Sequence, residues 1–199
     1  KKQLIQYQKK ILQKLKNNAV ITVNKKRYVT HISLFEQKLY GENNMMKKYV
    51  YNTIIAPIEI VEEDGYIVRL DFRIDEKIDT EETSLIKETY KQIEEYLLGN
   101  RKKFIVPIKL KGTEFQKKVW NALLEIPYGE TMSYKKIAEK IGNPKACRAV
   151  GMANHNNPIA IIVPCHRVIG SNRKLVGYAG GLYIKQKLLE IECNKYKLL

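Results

Sequence analysis

The chain has 199 residues, 44% hydrophobic and 29% charged, the balance of a folded globular protein with one large or two small domains. No apolar run approaches the roughly 18 residues a bilayer-spanning helix needs, and no signal-peptide pattern opens the chain, so neither membrane insertion nor secretion is expected. The formal charge of +15 divides into +8 over residues 1–44 (ten Lys/Arg, two Asp/Glu), −2 over 45–110 (eleven, thirteen) and +9 over 111–199 (fifteen, six), which makes the last block the one suited to a polyanion.

In chain order, Leu4, Tyr7, Ile11, Leu12 and Leu15 make one stripe of a basic amphipathic helix over residues 1–16, and residues 19–23 and 27–32 read as short strands. Strand patterns follow at 49–55, 58–62 and 66–74, the last two joined by the hairpin signal Asp64-Gly65. Thr80 is the expected cap of a helix with Glu81 and Glu82 in its first turn, an apolar stripe of Leu85, Ile86, Tyr90, Ile93, Leu97 and Leu98, and a stop at Gly99. An extended piece over 104–110 reads as the connection between two domains.

The second half reads as helices. Thr113 and Gln116 form a capping box ahead of Phe115, Val119, Trp120 and Leu123. Ser133 caps a short helix from Tyr134 to Ile141, and Pro144 suits the first turn of the next, Lys145 to Ala153. Two short helices on a tight Gly-Asn-Pro turn are a helix-turn-helix candidate. The second is rich in small residues, Ala146, Ala149, Gly151 and Ala153, which would let a backbone approach a duplex closely, with Arg148 the one arginine among them. A terminal helix runs from Gly181 to Glu192, with Leu182, Leu188 and Leu189 buried and Lys185 and Lys187 available.

Three cysteines, Cys147, Cys165 and Cys193, do not suggest a disulfide framework, and a reducing compartment is expected: the cytoplasm, or the nucleus in a eukaryote. An apolar run over 159–163 delivers Cys165 into Pro164-Cys165-His166-Arg167-Val168. Burial fixes such a backbone, and a neighbouring imidazole can favour the thiolate, the form of cysteine that attacks carbon. Adjacent residues normally point apart, so a direct bond between Cys165 and His166 does not follow. His31 and His155 read as surface residues.

Around this pentapeptide stand Ile126-Pro127-Tyr128-Gly129-Glu130-Thr131-Met132-Ser133-Tyr134, Asn143-Pro144-Lys145-Ala146-Cys147-Arg148-Ala149-Val150-Gly151, Asn157-Pro158, Gly177-Tyr178-Ala179-Gly180-Gly181 and Leu188-Leu189-Glu190-Ile191-Glu192. The ordered set resembles the O6-alkylguanine-DNA alkyltransferases, densely over 113–192 and loosely over 45–112. The resemblance implies an α+β protein: residues 1–44 an extension of unknown role, 45–108 a small antiparallel sheet with helices of ribonuclease H type, and 109–199 a helical DNA-binding and alkyl-acceptor domain. Met45-Met46 begins the stretch that resembles the family's usual start.

The implied activity is direct reversal of damage. An alkyl group moves irreversibly from O6 of guanine in double-stranded DNA to Cys165 after nucleotide flipping, with O4-alkylthymine left open as a second substrate. The product thioether has no good leaving group, so one turnover per molecule follows. His166 would act on the thiol through a water, Glu192 would orient the imidazole, Tyr134 would donate to the base, and Asn157 would hold the turns around the cysteine. Arg148 would fill the gap left by the flipped nucleotide, with Ala146, Cys147, Ala149 and Gly151 on the DNA face. Val168, Tyr178, Ala179, Gly180 and Lys185 fall on the substrate pocket; Ala179 stands where several relatives carry serine, which a backbone N–H contact would tolerate. The chemistry calls for no cofactor and no metal, and a four-ligand structural zinc site is excluded in the first half, which has no cysteine and only His31. A monomer is expected. A non-catalytic damage sensor of the alkyltransferase-like type would lack the acceptor cysteine, and a helix-turn-helix regulator would leave Cys165, His166 and Glu192 together without a purpose.

Overall fold

The computed structural model describes residues 46–72 and 81–193. The helix and two strands expected before residue 44, His31 and Thr80 lie outside the described residues.

Strands β1 (Lys47–Tyr51), β2 (Ile58–Glu63) and β3 (Tyr66–Asp71) form an antiparallel sheet in the order β1-β2-β3. Asp64 and Gly65 both take positive φ, 54° and 76°, as a two-residue hairpin turn requires. β1 ends earlier than the alternation to residue 55 suggests, because the Thr53 hydroxyl accepts from the N–H groups of Ile55 and Ala56 and folds the chain into a turn. Helix α1 (Ser84–Leu97) packs on this sheet. Its cap is Thr83 instead of Thr80: the Thr83 oxygen accepts from Ile86 N, and its hydroxyl donates to Glu62 on β2. Glu81 and Glu82 therefore precede the helix, where they pair with Lys47 and Tyr51.

In α2 (Glu114–Leu124) both halves of the Thr113–Gln116 capping box are present. A two-residue strand β4 (Met132–Ser133) leads into α3 (Tyr134–Lys140), capped by Ser133, and then α4 (Cys147–His155). α4 starts two residues later than expected. The Ala146 N–H is used by Asn143 O in a tight turn, so the helical ladder begins only with Val150 N on Ala146 O. α2 packs on both α3 and α4, and Trp120 Nε1 donates to Ala153 O at 2.8 Å. A 3₁₀ turn at Cys165–Arg167 leads into β5 (Val168–Ile169), parallel to β4, and the described chain closes with α5 (Leu182–Glu192).

The outer edge of β3 joins the two halves. Leu70 N donates to Pro158 O at 2.9 Å and Ala160 N to Leu70 O at 2.8 Å, which seats the segment before Cys165 against the sheet. Ile58, Ile60, Ile67 and Leu70 from the sheet and Val119, Leu123, Ile137, Val150 and Val163 from the helical half belong to one buried core. No described helix is long and apolar enough to cross a membrane.

Candidate active site

Cys165 reaches its position through two overlapping turns. The Asn157 side chain holds them: Nδ2 donates to Val163 O at 2.8 Å and Oδ1 accepts from Ile159 N at 3.1 Å. Between them Ile161 sits at φ 68°, a conformation costly for a β-branched residue, so the asparagine bonds hold a strained backbone. Asn157 Nδ2 also donates to Cys165 Sγ at 3.1 Å. Burial pushes the thiol pKa up, while the Asn157 bond and the charge of Lys185 pull it down; the upward push prevails. Cys165 is 6% exposed.

His166 is fully buried and turned to a different set of partners. Its Nε2 lies 2.8 Å from Glu192 Oε1 and 3.3 Å from the Tyr96 hydroxyl, and its Nδ1 is buried with no partner. Burial depresses the imidazole pKa more than Glu192 raises it, so the ring is neutral at pH 7. Glu192 is an ionised acceptor, so Nε2 carries the ring proton and Nδ1 keeps the lone pair.

Besides His166, three residues converge on Glu192. Arg167 donates from Nε to Oε2 at 2.9 Å and from NH2 to Oε1 at 2.9 Å, Tyr96 OH to Oε1 at 2.6 Å, and Gly129 N to Oε2 at 3.0 Å. Burial works to raise the pKa of this carboxyl, but the bonds of His166 and Arg167, with the Arg167 charge and in acid that of a protonated His166, outweigh it and hold it well below the usual carboxylate range. Gly129 takes φ 77°, and a Cβ there would stand 3.1 Å from Glu192 O, so this close approach requires glycine. Arg167, Tyr96 and Gly129 were not assigned roles in the sequence. Tyr96 offered one signal: it stands three residues after Ile93 on the buried stripe of α1, where a tyrosine needs a partner for its hydroxyl.

Lys185, expected to be available, is completely buried. Its ammonium donates to Val168 O at 2.6 Å, Val176 O at 2.8 Å and Gly177 O at 3.0 Å, and burial pulls its pKa down to about 8. It thus ties the 176–177 loop to the strand after the cysteine. Leu182, expected to be buried, is 49% exposed, because the inner stripe of α5 runs through Ile184, Lys185, Leu188, Leu189 and Glu192.

A cavity of about 60 Å³ opens beside the sulfur, lined by Tyr134, Gly151, Asn154, His155, Cys165, Gly177 and Tyr178. Tyr134 OH donates to Val176 O at 3.1 Å. Val168 is buried and Ala179 and Gly180 are half-buried; a Cβ at Gly180 would stand 3.2 Å from the Tyr178 ring and 3.4 Å from Phe72 Cβ. Ala146, the residue before α4, is half-buried, as are Cys147 and Gly151 on the helix, and Arg148 and Ala149 are exposed. His155 is exposed, as expected, but lies on the cavity wall.

Comparison with known proteins gives one family. Residues 46–110 match the model of the 6-O-methylguanine DNA methyltransferase ribonuclease-like domain, and residues 114–194 match that of the 6-O-methylguanine DNA methyltransferase DNA-binding domain. The chain is 49% identical to a methylated-DNA–protein-cysteine methyltransferase of Methanosarcina mazei over 158 residues, 76% of this chain and 100% of the relative. It is 62% identical to one from Methanosarcina acetivorans over 112 residues, 56% of this chain and 72% of the relative. Among solved structures, the Mycobacterium tuberculosis O6-methylguanine methyltransferase aligns with a TM-score of 0.69 at 42% identity, over 75% of this chain and 94% of that one. The M. tuberculosis protein in complex with DNA aligns with a TM-score of 0.68 at 43% identity, again over 75% and 94%. With both domain models matched in order and a relative covered end to end, the chain belongs to the 6-O-methylguanine DNA methyltransferase family, the methylated-DNA–protein-cysteine methyltransferases.

Proposed function

We propose that this protein repairs O6-alkylguanine in double-stranded DNA by taking the alkyl group onto Cys165. The observation that carries the assignment of the acceptor is the buried sulfur, held by Asn157, at the wall of a cavity flanked by Tyr134 and Tyr178 and followed in the chain by a His166 bonded to Glu192. Tyr134, Val168, Tyr178, Ala179, Gly180 and Lys185 shape the pocket in this reading, and Arg148 with the small residues of α4 meets the duplex. The division into an extension over 1–44, a first domain over 45–108 and an acceptor domain over 109–199 belongs to the same proposal, as do a monomeric state and a reducing, cytoplasmic or nuclear setting.

The residues suggest the proton path. Because burial keeps Cys165 protonated in the resting protein, the thiol must lose its proton as the substrate arrives. Glu192 fixes the imidazole tautomer so that the uncommitted lone pair is on Nδ1, which takes the proton by way of a bridging water. The sulfur forms the C–S bond, the C–O6 bond breaks and its electrons pass to guanine, and the proton taken up by His166 is handed on to neutralise the departing base, which returns the imidazole to its neutral form. The thioether cannot leave, so the cycle ends.

The test is intact-mass analysis after mixing with a duplex containing O6-methylguanine. One methyl group per chain, on the peptide bearing Cys165 and not increased by excess substrate, is the expected result. Multiple turnover, or methyl only on Cys147 or Cys193, would refute the assignment.

Arg148 supplies a second test. Extruding a nucleotide costs a few kcal/mol, and a planar guanidinium can stack and donate in the gap where a lysine ammonium does so poorly. Arg148→Ala is expected to slow repair within a duplex by about a hundredfold and reaction with free O6-alkylguanine base much less, with Arg148→Lys recovering only part. An equal fall on both substrates would mean that Arg148 supports the pocket and not flipping.

A further inference from the structure

The cavity beside Cys165 contains hydrogen-bonding capacity that a methyl group cannot use. Asn154, on α4, is 7% exposed, and both its amide atoms, Oδ1 and Nδ2, are buried without a partner. The Tyr178 hydroxyl, on the same cavity wall, is also buried and unpartnered. Neutral polar atoms left this way cost about 1–3 kcal/mol each, so their persistence beside a reactive group points to a ligand that satisfies them. The Asn154 amide approaches the Tyr134 hydroxyl closely enough to favour its ionised form, against the larger upward push of burial and of the Cys165 sulfur. That approach can engage only the Nδ2 donor, because the Tyr134 oxygen can accept while its hydroxyl donates to Val176 O at 3.1 Å, and it leaves Asn154 Oδ1 unsatisfied.

The position of these atoms within the cavity decides what they meet. Exposed His155 and Gly177 belong to the outer side, whereas Asn154 and Cys165 are both more than nine-tenths buried and the hydroxyl of half-buried Tyr178 is itself buried. The carbon attacked by the sulfur must lie at Cys165, so the O6 substituent occupies the buried side and the base ring the outer side. The amide and the phenol therefore stand beside the substituent.

We propose that Asn154, with the Tyr178 hydroxyl, makes this protein selective for O6 substituents that carry a hydrogen-bonding oxygen beyond the reacting carbon, such as 2-hydroxyethyl, over apolar substituents of the same size. This rests on the alkyl-acceptor reading above. Chemistry at the reacting carbon is unchanged: the sulfur takes the CH₂ group, the C–O6 bond breaks, and the thiol proton ends on the released guanine. The added selectivity comes from pairing the substituent hydroxyl with an amide that can both donate and accept. A site that hydrogen-bonds such a group discriminates against the analogue lacking it, because its own buried polar atoms are then left unpaired.

The experiment measures single-turnover rates of the full chain on duplexes containing O6-(2-hydroxyethyl)guanine, the near-isosteric O6-propylguanine, and O6-methylguanine. The wild-type protein is expected to favour hydroxyethyl over propyl by about tenfold, one neutral hydrogen bond's worth. Asn154→Leu, which keeps the side-chain volume, should bring that ratio close to one, and Tyr178→Phe should lower it in the same direction. Because Leu replaces a buried amide without partners, the Asn154 variant should melt at the wild-type temperature or above, and the Tyr178 variant supplies the readout if it does not fold. A wild-type ratio near one, or a ratio unchanged in the variants, overturns the proposal. So does an equal fall on all three substrates, which would make Asn154 a support of the pocket. Absence of methyl transfer by the wild-type protein would instead overturn the acceptor reading itself.

Discussion

Glu192→Ala is expected to destabilise the fold by about 3–5 kcal/mol, the usual cost of removing one partner from a buried ion pair. The Arg167 guanidinium, 6% exposed, would keep only Ile126 O at 2.6 Å and the face of Tyr128 at 5.8 Å. Gly129 N–H would lose its acceptor and Tyr96 OH its 2.6 Å bond. The same substitution frees the imidazole tautomer, and a general-base contribution of roughly a hundredfold should disappear from the alkylation rate. Urea unfolding and single-turnover kinetics read the two effects separately. Tyr96→Phe, which removes one donor from the carboxylate, should cost about 1 kcal/mol, with a smaller fall in rate. If Glu192→Ala stays within about 0.5 kcal/mol of wild type, the carboxylate does not anchor the cluster.

The pH dependence of that stability has a definite sign. Glu192 has a folded pKa below its ordinary value of 4.5, so its contribution is complete above that value and is lost as pH falls toward the folded one. His166 has a folded pKa below its ordinary 6.5, so the unfolded chain binds more protons there and stability begins to fall as pH drops through 6.5. Wild-type stability should therefore decline on acidification first through His166 and then, below about pH 4.5, through Glu192. The gap between wild type and Glu192→Ala should stay open at neutral pH and close only in the second interval.

The surroundings of Cys165, the cysteine proposed as acceptor, were legible in the sequence because they sit within local motifs. Asn157 and Cys165 are eight residues apart across two overlapping turns, and the capping chemistry of Thr113, Gln116 and Ser133 is read within four residues. What escaped was long-range. Tyr96 and Glu192 are 96 positions apart, and only docking of α1 from the first domain against α5 makes the tyrosine a ligand of the carboxylate. Lys185 read as a surface cation because nothing local shows that three carbonyls from residues 168, 176 and 177 converge on it. At the start of α1, Thr80 and Thr83 are equivalent by sequence, and the choice falls to Glu62 on β2, which accepts the Thr83 hydroxyl. Asn154 carried no signal, since an asparagine on a short exposed-looking helix is ordinary; its meaning lies in the cavity that closes over it.

Cys165→Ala is expected to abolish alkyl transfer completely while leaving the protein folded and able to bind a duplex. The sulfur is buried and contributes nothing to the exposed face of α4, so affinity for DNA should not change. Removing one heavy atom from the interior costs about 1 kcal/mol. Asn157 Nδ2 loses its contact with the sulfur but keeps Val163 O at 2.8 Å, so the turns remain held and no buried donor is orphaned. The other thiols cannot substitute. Cys147 donates weakly to Pro144 O at 3.8 Å on α4, and Cys193 lies half-buried just beyond α5; neither lines the cavity. The wild-type protein completes the comparison, because burial raises the Cys165 pKa above its ordinary value and the resting thiol must give its proton to a neutral His166. Its single-turnover rate should therefore fall on acidification, as the imidazole takes up a proton below its ordinary 6.5. The alanine variant should show no added mass at any pH, with an unchanged salt-dependent affinity for the methylated duplex. Transfer by the variant would remove Cys165 from the chemistry. Loss of duplex binding with the fold intact would mean that the sulfur is part of the recognition surface and not only the acceptor.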